Sequence, residues 1–205
     1  MVTPLAPDYQ GRVLWQDTAV PHPVAPVDLP ATVDAVVVGG GYCGLSAAAE
    51  LARRGRSVAV LDGHDLGWGA STRNGGMVLP ELKAGPRSLE RSHGELGLRL
   101  HAEVEAAFDH VEHVITAASI DCAYVRSGQL YLSHSERSSA HLDALAAELT
   151  SIGSDAHVVR GDDLQAELGS AMFAAGLVVE RSGGLHPARF HAGLTRIAEQ
   201  AGASL

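Results

Sequence analysis

The chain has 205 residues, of which 15 are basic and 24 acidic, giving a formal net charge of −9. That balance, with no basic run, argues against a general nucleic-acid binder. A hydrophobic share of 46 % beside 19 % charged residues argues against a disordered chain, and two distant cysteines, Cys43 and Cys122, signal neither a disulfide framework nor a zinc site.

Residues 1–32 hold Pro4, Pro7, Pro21, Pro23, Pro26 and Pro30, a density that predicts a non-helical extended arm pinned down by Leu14 and Trp15. Met1 to Gln10 lack a basic region followed by an apolar core, so no secretory signal is expected. The stretch Ala35 to Ala49 is too short and glycine-rich to span a bilayer, which takes about 20 apolar residues. A cytoplasmic protein in a reducing compartment, bound to neither membrane nor nucleic acid, is the expectation.

From Val33 the pattern changes. Asp34 to Val38 reads as a strand buried on both faces, Tyr42 to Arg54 as a helix stopped by Gly55, and Ser57 to Leu61 as a second buried strand. Together they predict a βαβ unit with a right-handed crossover. A loop from Asp62 to Pro80 carries five glycines. Leu96, Leu100, Val104, Phe108, Val111, Ile115 and Ala118 then recur at helical steps and predict a long amphipathic helix. His101, His110 and His113 on it read as a solvated face, with no metal expected. Tyr124–Arg126 and Gln129–Ser133 read as a hairpin turning at Ser127-Gly128. A helix over Ser135 to Leu149, short strands at Val158-Val159 and Leu177–Val179, and a last helix opened by Pro187 follow. Two parallel strands are too few for a sheet, so a third is expected to begin at Ala203-Ser204-Leu205. The predicted fold class is α/β: a Rossmann-like βαβ unit followed by the beginning of an α+β region, with an incomplete sheet.

Chemistry enters at Gly39-x-Gly41-x-x-Gly44, which sits between a strand and a helix as a dinucleotide fingerprint requires. Gly39 permits the tight turn, Gly41 lets a pyrophosphate approach the backbone, and Gly44 lets helix pack on strand. Tyr42 and Cys43 open the helix whose free N–H groups and dipole receive the phosphates, with Cys43 read as a small packed residue. Asp62 ends the second strand, where a carboxylate accepts hydrogen bonds from ribose hydroxyls and repels a 2′-phosphate.

A second segment, Gly67-Trp-Gly-Ala-Ser-Thr-Arg-Asn-Gly-Gly76, supplies glycines that admit a flat ring and polar donors for phosphate and ring oxygens. With Val36 to Ser46, Asp62 and Trp15-Gln-Asp-Thr18, it resembles the FAD-dependent amine and amino-acid oxidoreductases of the D-amino-acid oxidase and glycine oxidase superfamily. The likeness is nearest to the subgroup that includes γ-glutamylputrescine oxidoreductase, over about the first half of the family's length. Asp62 stands where such proteins often place glutamate, and Cys43 where they often place threonine. The resemblance implies FAD as cofactor, with Ser71 and Arg73 toward the pyrophosphate, Asn74, Gly75 and Gly76 near the isoalloxazine, and Gly69 and Ala70 among the cofactor-binding residues. It implies an FAD-binding region over 33–120, the start of a substrate-binding β region over 121–182, and a helix returning to the FAD region over 183–205. The implied reaction is oxidation of a C–N bond in a small amine or amino acid by hydride transfer to flavin, with no catalytic side chain assigned. Two alternatives stand beside it: a fragment that is inactive or needs a partner, another copy or a missing C-terminal half, and an NAD-dependent dehydrogenase.

Overall fold

The computed structural model describes residues 12–24 and 28–205, so the part of the arm that holds Pro4, Pro7 and Pro26 lies outside the described residues. In chain order the elements begin with α1 (Leu14–Asp17), β1 (Ala35–Val38), α2 (Tyr42–Arg53) and β2 (Val58–Leu61). A 3-10 turn at Ala70–Thr72 precedes β3 (Met77–Val78), α3 (Pro86–His93) and α4 (Glu95–Ala117). Then come β4 (Gln129–Ser133), α5 (Glu136–Ser151), β5 (Ala156–Val159) and α6 (Gly161–Leu168). The order closes with β6 (Ala175–Val179), β7 (Gly183–Gly184) and α7 (Pro187–Gln200). No helix among the described residues is long and apolar enough to cross a membrane.

The chain divides into two compact units. One takes residues up to Gly76, Ile115–Cys122 and His186–Leu205; the other takes Met77–Val114 and Ala123–Leu185.

In the first unit β1 and β2 pair in parallel from Ala35↔Val58 to Val38↔Leu61, joined by α2. The expected third strand begins on the far side of β2. Ser204 forms a parallel bridge with Ala59, its amide donating to Val58 O at 2.9 Å and its carbonyl accepting from Val60 N at 2.7 Å. Leu45, Ala48 and Ala49 of α2 are buried, as are Phe190, Leu194, Ile197 and Ala198 of α7, and the two helices pack together. β1 corrects the expectation of a strand buried on both faces. Val36 is 55 % and Val38 87 % exposed, because side chains alternate along a strand and only the Ala35–Val37 face turns toward α2.

The arm is also corrected. One helical turn, α1, fits between Pro7 and Pro21, and Leu14 is 66 % exposed, so Trp15 alone of the two expected anchors holds.

In the second unit β6 is the central strand of a three-stranded antiparallel sheet ordered β4-β6-β5. Its five residues are all buried, which requires a neighbour on each edge and cover on its face. Leu142 of α5 supplies part of that cover, packing with Ala175, Leu177 and Val179. Ser135 caps α5 by accepting from Ser138 N.

The apolar demand of β6 explains why the expected hairpin does not form. Gln129–Ser133 pairs with Ala175–Val179, and Val125 bridges Gly184 instead. Gly128 does turn with a positive φ of 71°, but its amide donates to Ser182 O at 3.0 Å. The long helix is present as α4, but of its stripe only Phe108 and Ile115 are buried, with Val104 and Val111 half-buried. Leu96 and Leu100 are exposed, as are His110 and His113.

Candidate cofactor site

Two glycine-rich segments of the first unit meet at the N-terminus of α2. The turn between β1 and α2 is fixed from below, with Gly39 N donating to Leu61 O at 2.7 Å and Gly40 N donating to the Asp62 carboxylate at 2.7 Å. Gly39 has φ +98°, a conformation that favours glycine. A Cβ on Gly44 would stand 2.0 Å from Gly39 O, so the helix approaches the turn as closely as backbones allow.

The N-cap residue of α2 is Gly41, which has no side chain to offer the helix amides. Tyr42 N donates to Ser71 Oγ at 3.1 Å, and Leu45 N is the next amide to reach an acceptor, Gly41 O at 2.9 Å. The Cys43 and Gly44 amides take no acceptor among the described hydrogen bonds. Free N–H groups with the positive end of a twelve-residue helix behind them suit an anion such as a pyrophosphate. Gly41 borders this spot: a Cβ there would lie 2.9 Å from Ser71 Oγ.

Cys43 is exposed, which corrects its reading as a packed residue; at the second helical position it points away from the helix pairing that buries Leu45 and Ala48. The Tyr42 side chain turns back into the fold, its hydroxyl donating to Pro187 O at 3.1 Å and its ring meeting Phe190 edge-on. Burial raises the phenol's pKa. Only its backbone amide therefore stays at the helix start, where Ser71 Oγ accepts from it.

The second segment is a self-bonded loop. Asn74 uses its side chain internally, donating to Ala70 O and Ser71 O and accepting from Gly76 N at 2.8 Å. Arg73 donates Nε to Trp68 O at 2.6 Å and lies over the Trp68 ring, which stacks on His64. Thr72, 3 % exposed, donates to Gly67 O. Gly69 leads into the 3-10 turn of Ala70–Thr72 that places Ser71 beside Gly41, and Gly75 separates Asn74 from Gly76.

Asp62 accepts from Gly40 N on one oxygen and from His64 N at 3.1 Å on the other. The Gly40 amide is the main cause that holds its carboxyl below the usual range; slight burial opposes, and His64 assists.

His191 carries no sequence signal for this site. From α7 its Nε2 meets Gly40 O at 2.7 Å, and it is 4 % exposed. A carbonyl only accepts, so Nε2 carries the proton. Burial pushes its pKa down, against the opposing Gly40 carbonyl and Asp62, so the ring is neutral at pH 7. The pKa of His186, the N-cap of α7, is lowered too, chiefly by burial. Both groups bind protons more readily unfolded, so their contribution to stability is complete above about pH 6.5 and is lost as pH falls through the depressed folded values. The expected result is a thermal midpoint that declines below about pH 6.5, with a shallower decline in His191→Gln. An identical pH profile in the variant would remove His191 from this role.

The family comparison matches the chain over residues 34–205 to the DAO family, described as FAD dependent oxidoreductase. The chain belongs to that family. Among its curated DAO relatives, γ-glutamylputrescine oxidoreductase of Escherichia coli (strain K12) is 30 % identical over 158 residues, 76 % of this chain and 37 % of that protein. A probable oxidoreductase, OrdL, of Rhizobium meliloti (strain 1021) is 30 % identical over 209 residues, 99 % of this chain and 47 % of the relative. The chain thus spans less than half the length of these relatives. Solved structures agree in fold. Glycine oxidase from Geobacillus kaustophilus superposes with a TM-score of 0.68 at 24 % identity, covering 84 % of this chain and 46 % of the other. L-amino acid deaminase from Proteus myxofaciens gives 0.73 at 18 % identity, covering 91 % and 40 %. The DAO family's cofactor is FAD, which separates the chain from the NAD-dependent alternative.

Proposed function

We propose that this chain forms the FAD-binding portion of an oxidoreductase that oxidises a C–N bond of a small amine or amino acid. The observation that carries the reading is the meeting of both glycine-rich segments at the start of α2, where the Cys43 and Gly44 amides take no acceptor among the described hydrogen bonds, with the Asp62 carboxylate at the end of the adjoining strand. In this reading the Cys43 and Gly44 amides and the helix dipole hold the pyrophosphate. The Ser71 hydroxyl and the Arg73 guanidinium add charge-assisted donors beside it. Asp62 accepts from the ribose hydroxyls, and residues 74–76 present a side-chain-poor backbone to the flavin ring. FAD, once bound, supplies the acceptor for the two electrons that leave the substrate's C–N carbon. The names of the relatives, γ-glutamylputrescine oxidoreductase and glycine oxidase, support amines and amino acids as the substrate class.

Gel filtration of the 205-residue chain with excess FAD tests the proposal: the protein peak is expected to carry a flavin absorption spectrum. A colourless peak counts against it. The exposed Val36 and Val38 favour a second reading, in which further polypeptide must cover that face before FAD is held. Fusing the remaining half of the OrdL relative after Leu205 and repeating the filtration separates the two. Flavin retained only by the fusion supports the second.

A further inference from the structure

The arm segment from Trp15 to His22 lies ahead of the family match, which begins at residue 34, yet it is bonded to the loop that the cofactor reading depends on. Trp15 Nε1 donates to Asn74 O at 2.8 Å, at the far end of that loop. Gln16 Nε2 donates to Gly67 O at 3.1 Å, at its near end, and to Thr72 Oγ1 at 2.8 Å in its middle. The segment is itself anchored to both ends of α7. Thr18 Oγ1 pairs with His186 Nε2 at 3.0 Å, the Trp15 ring meets the His186 ring edge-on at 4.9 Å, and His22 pairs with Glu199 at 2.5 Å.

A cavity of about 470 Å³ is lined by Gln16 and Ala19 of the arm, Leu66 and Thr72 of the loop, and His191 of α7. The cavity runs between arm and loop, and the hydrogen bonds of Trp15 and Gln16 tie the two together beside it. The loop needs such a hold. It has four glycines between Gly67 and Gly76, each widening the range of backbone shapes open to it. Its Ser71 must reach Tyr42 N at the start of α2.

We propose that Trp15 and Gln16 are positioning residues, a clamp that keeps loop 67–74 in its cofactor-ready shape, so that FAD affinity is set partly from outside the family domain. The inference rests on the proposed FAD site for its second half only. Loosening the clamp divides the loop between shapes, and apparent affinity falls with the competent fraction.

The test uses the full chain with Trp15→Phe, which keeps a ring against His186 but removes the donor, and Gln16→Leu, which keeps volume but removes both bonds. Hydrogen–deuterium exchange without FAD is expected to be about tenfold faster at amides 67–74 in each variant, with α5 unchanged as an internal control of folding. An absorbance titration is expected to give about a tenfold higher Kd for FAD, with an unaltered spectrum at saturation. Unchanged exchange overturns the clamp, and so does faster exchange with an unchanged Kd. Faster exchange where the wild type takes up FAD neither alone nor in the fusion overturns the cofactor reading and leaves the hold on the loop established.

Discussion

Gly44→Ala is expected to abolish FAD uptake and to lower stability by about 1–3 kcal/mol, the usual cost of forcing extra atoms into close packing. The new methyl group would face Gly39 O at 2.0 Å and Val37 Cγ1 at 3.1 Å. The turn cannot retreat from it. Gly39 N is tied to Leu61 O, Gly40 N to Asp62, and Gly40 O to His191. Helix α2 must therefore lift from β1, carrying the Cys43 and Gly44 amides away from the position proposed for the phosphates. Thermal unfolding measures the first effect and an absorbance titration with FAD the second. Gly63→Ala is the control, since a Cβ there meets nothing within 4 Å, and it should keep the wild-type midpoint. A Gly44→Ala protein with wild-type midpoint and affinity would show that helix and strand are not locked together at this point.

Asp62→Ala carries the second large effect, about a ten- to hundred-fold weaker affinity for FAD. The substitution removes the acceptor of Gly40 N and of His64 N, together with the carboxylate proposed to receive the ribose. Asp62→Asn should fall between the two, because one amide oxygen still accepts from Gly40 N while its NH2 group opposes the His64 amide. Because the Asp62 carboxyl lies below the ordinary carboxylate range, it stays ionised as pH falls from 8 to 5. Its share of the affinity should be flat over that interval, whereas the His191-dependent stability declines within it. Asp62→Ala with unaltered FAD affinity would move the ribose contact elsewhere.

What could be read from the sequence follows from how local each task is. The fingerprint glycines and Asp62 do their work within one βαβ unit, where turn, helix start and strand end lie within about thirty residues. Their types and spacing are enough. The third strand was legible from the need to extend a two-stranded sheet, and Ser204 answers it. Thr72 and His191 were harder, as were the partners of Trp15 and Gln16. These residues bond to backbone carbonyls or to one another, and a carbonyl is present at every residue, so nothing in the partner marks the pairing. His191 reaches Gly40 across 151 residues and Gln16 reaches Gly67 across 51. Helix α3 escaped periodicity because only Pro86 and Leu89 are buried among arginines and serines. β7 consists of two glycines, which offer backbone pairing and no side-chain pattern at all. The hairpin failed for another reason. Its turn signal at Ser127-Gly128 was sound, but the burial demanded by β6, nearly fifty residues later, decided the partner of Gln129–Ser133.

The chain has two tryptophans, and both belong to the same place: Trp68 is within the loop and Trp15 is bonded to its far end. Indole emission from this protein is accordingly a local signal. Its two fluorophores differ in surroundings, with Trp68 about half exposed between His64 and Arg73 and Trp15 set against His186. An isoalloxazine ring arriving beside residues 74–76 would quench both by energy transfer. Unfolding confined to the second unit would leave the emission untouched, which makes intrinsic fluorescence a reporter of this one loop without any label.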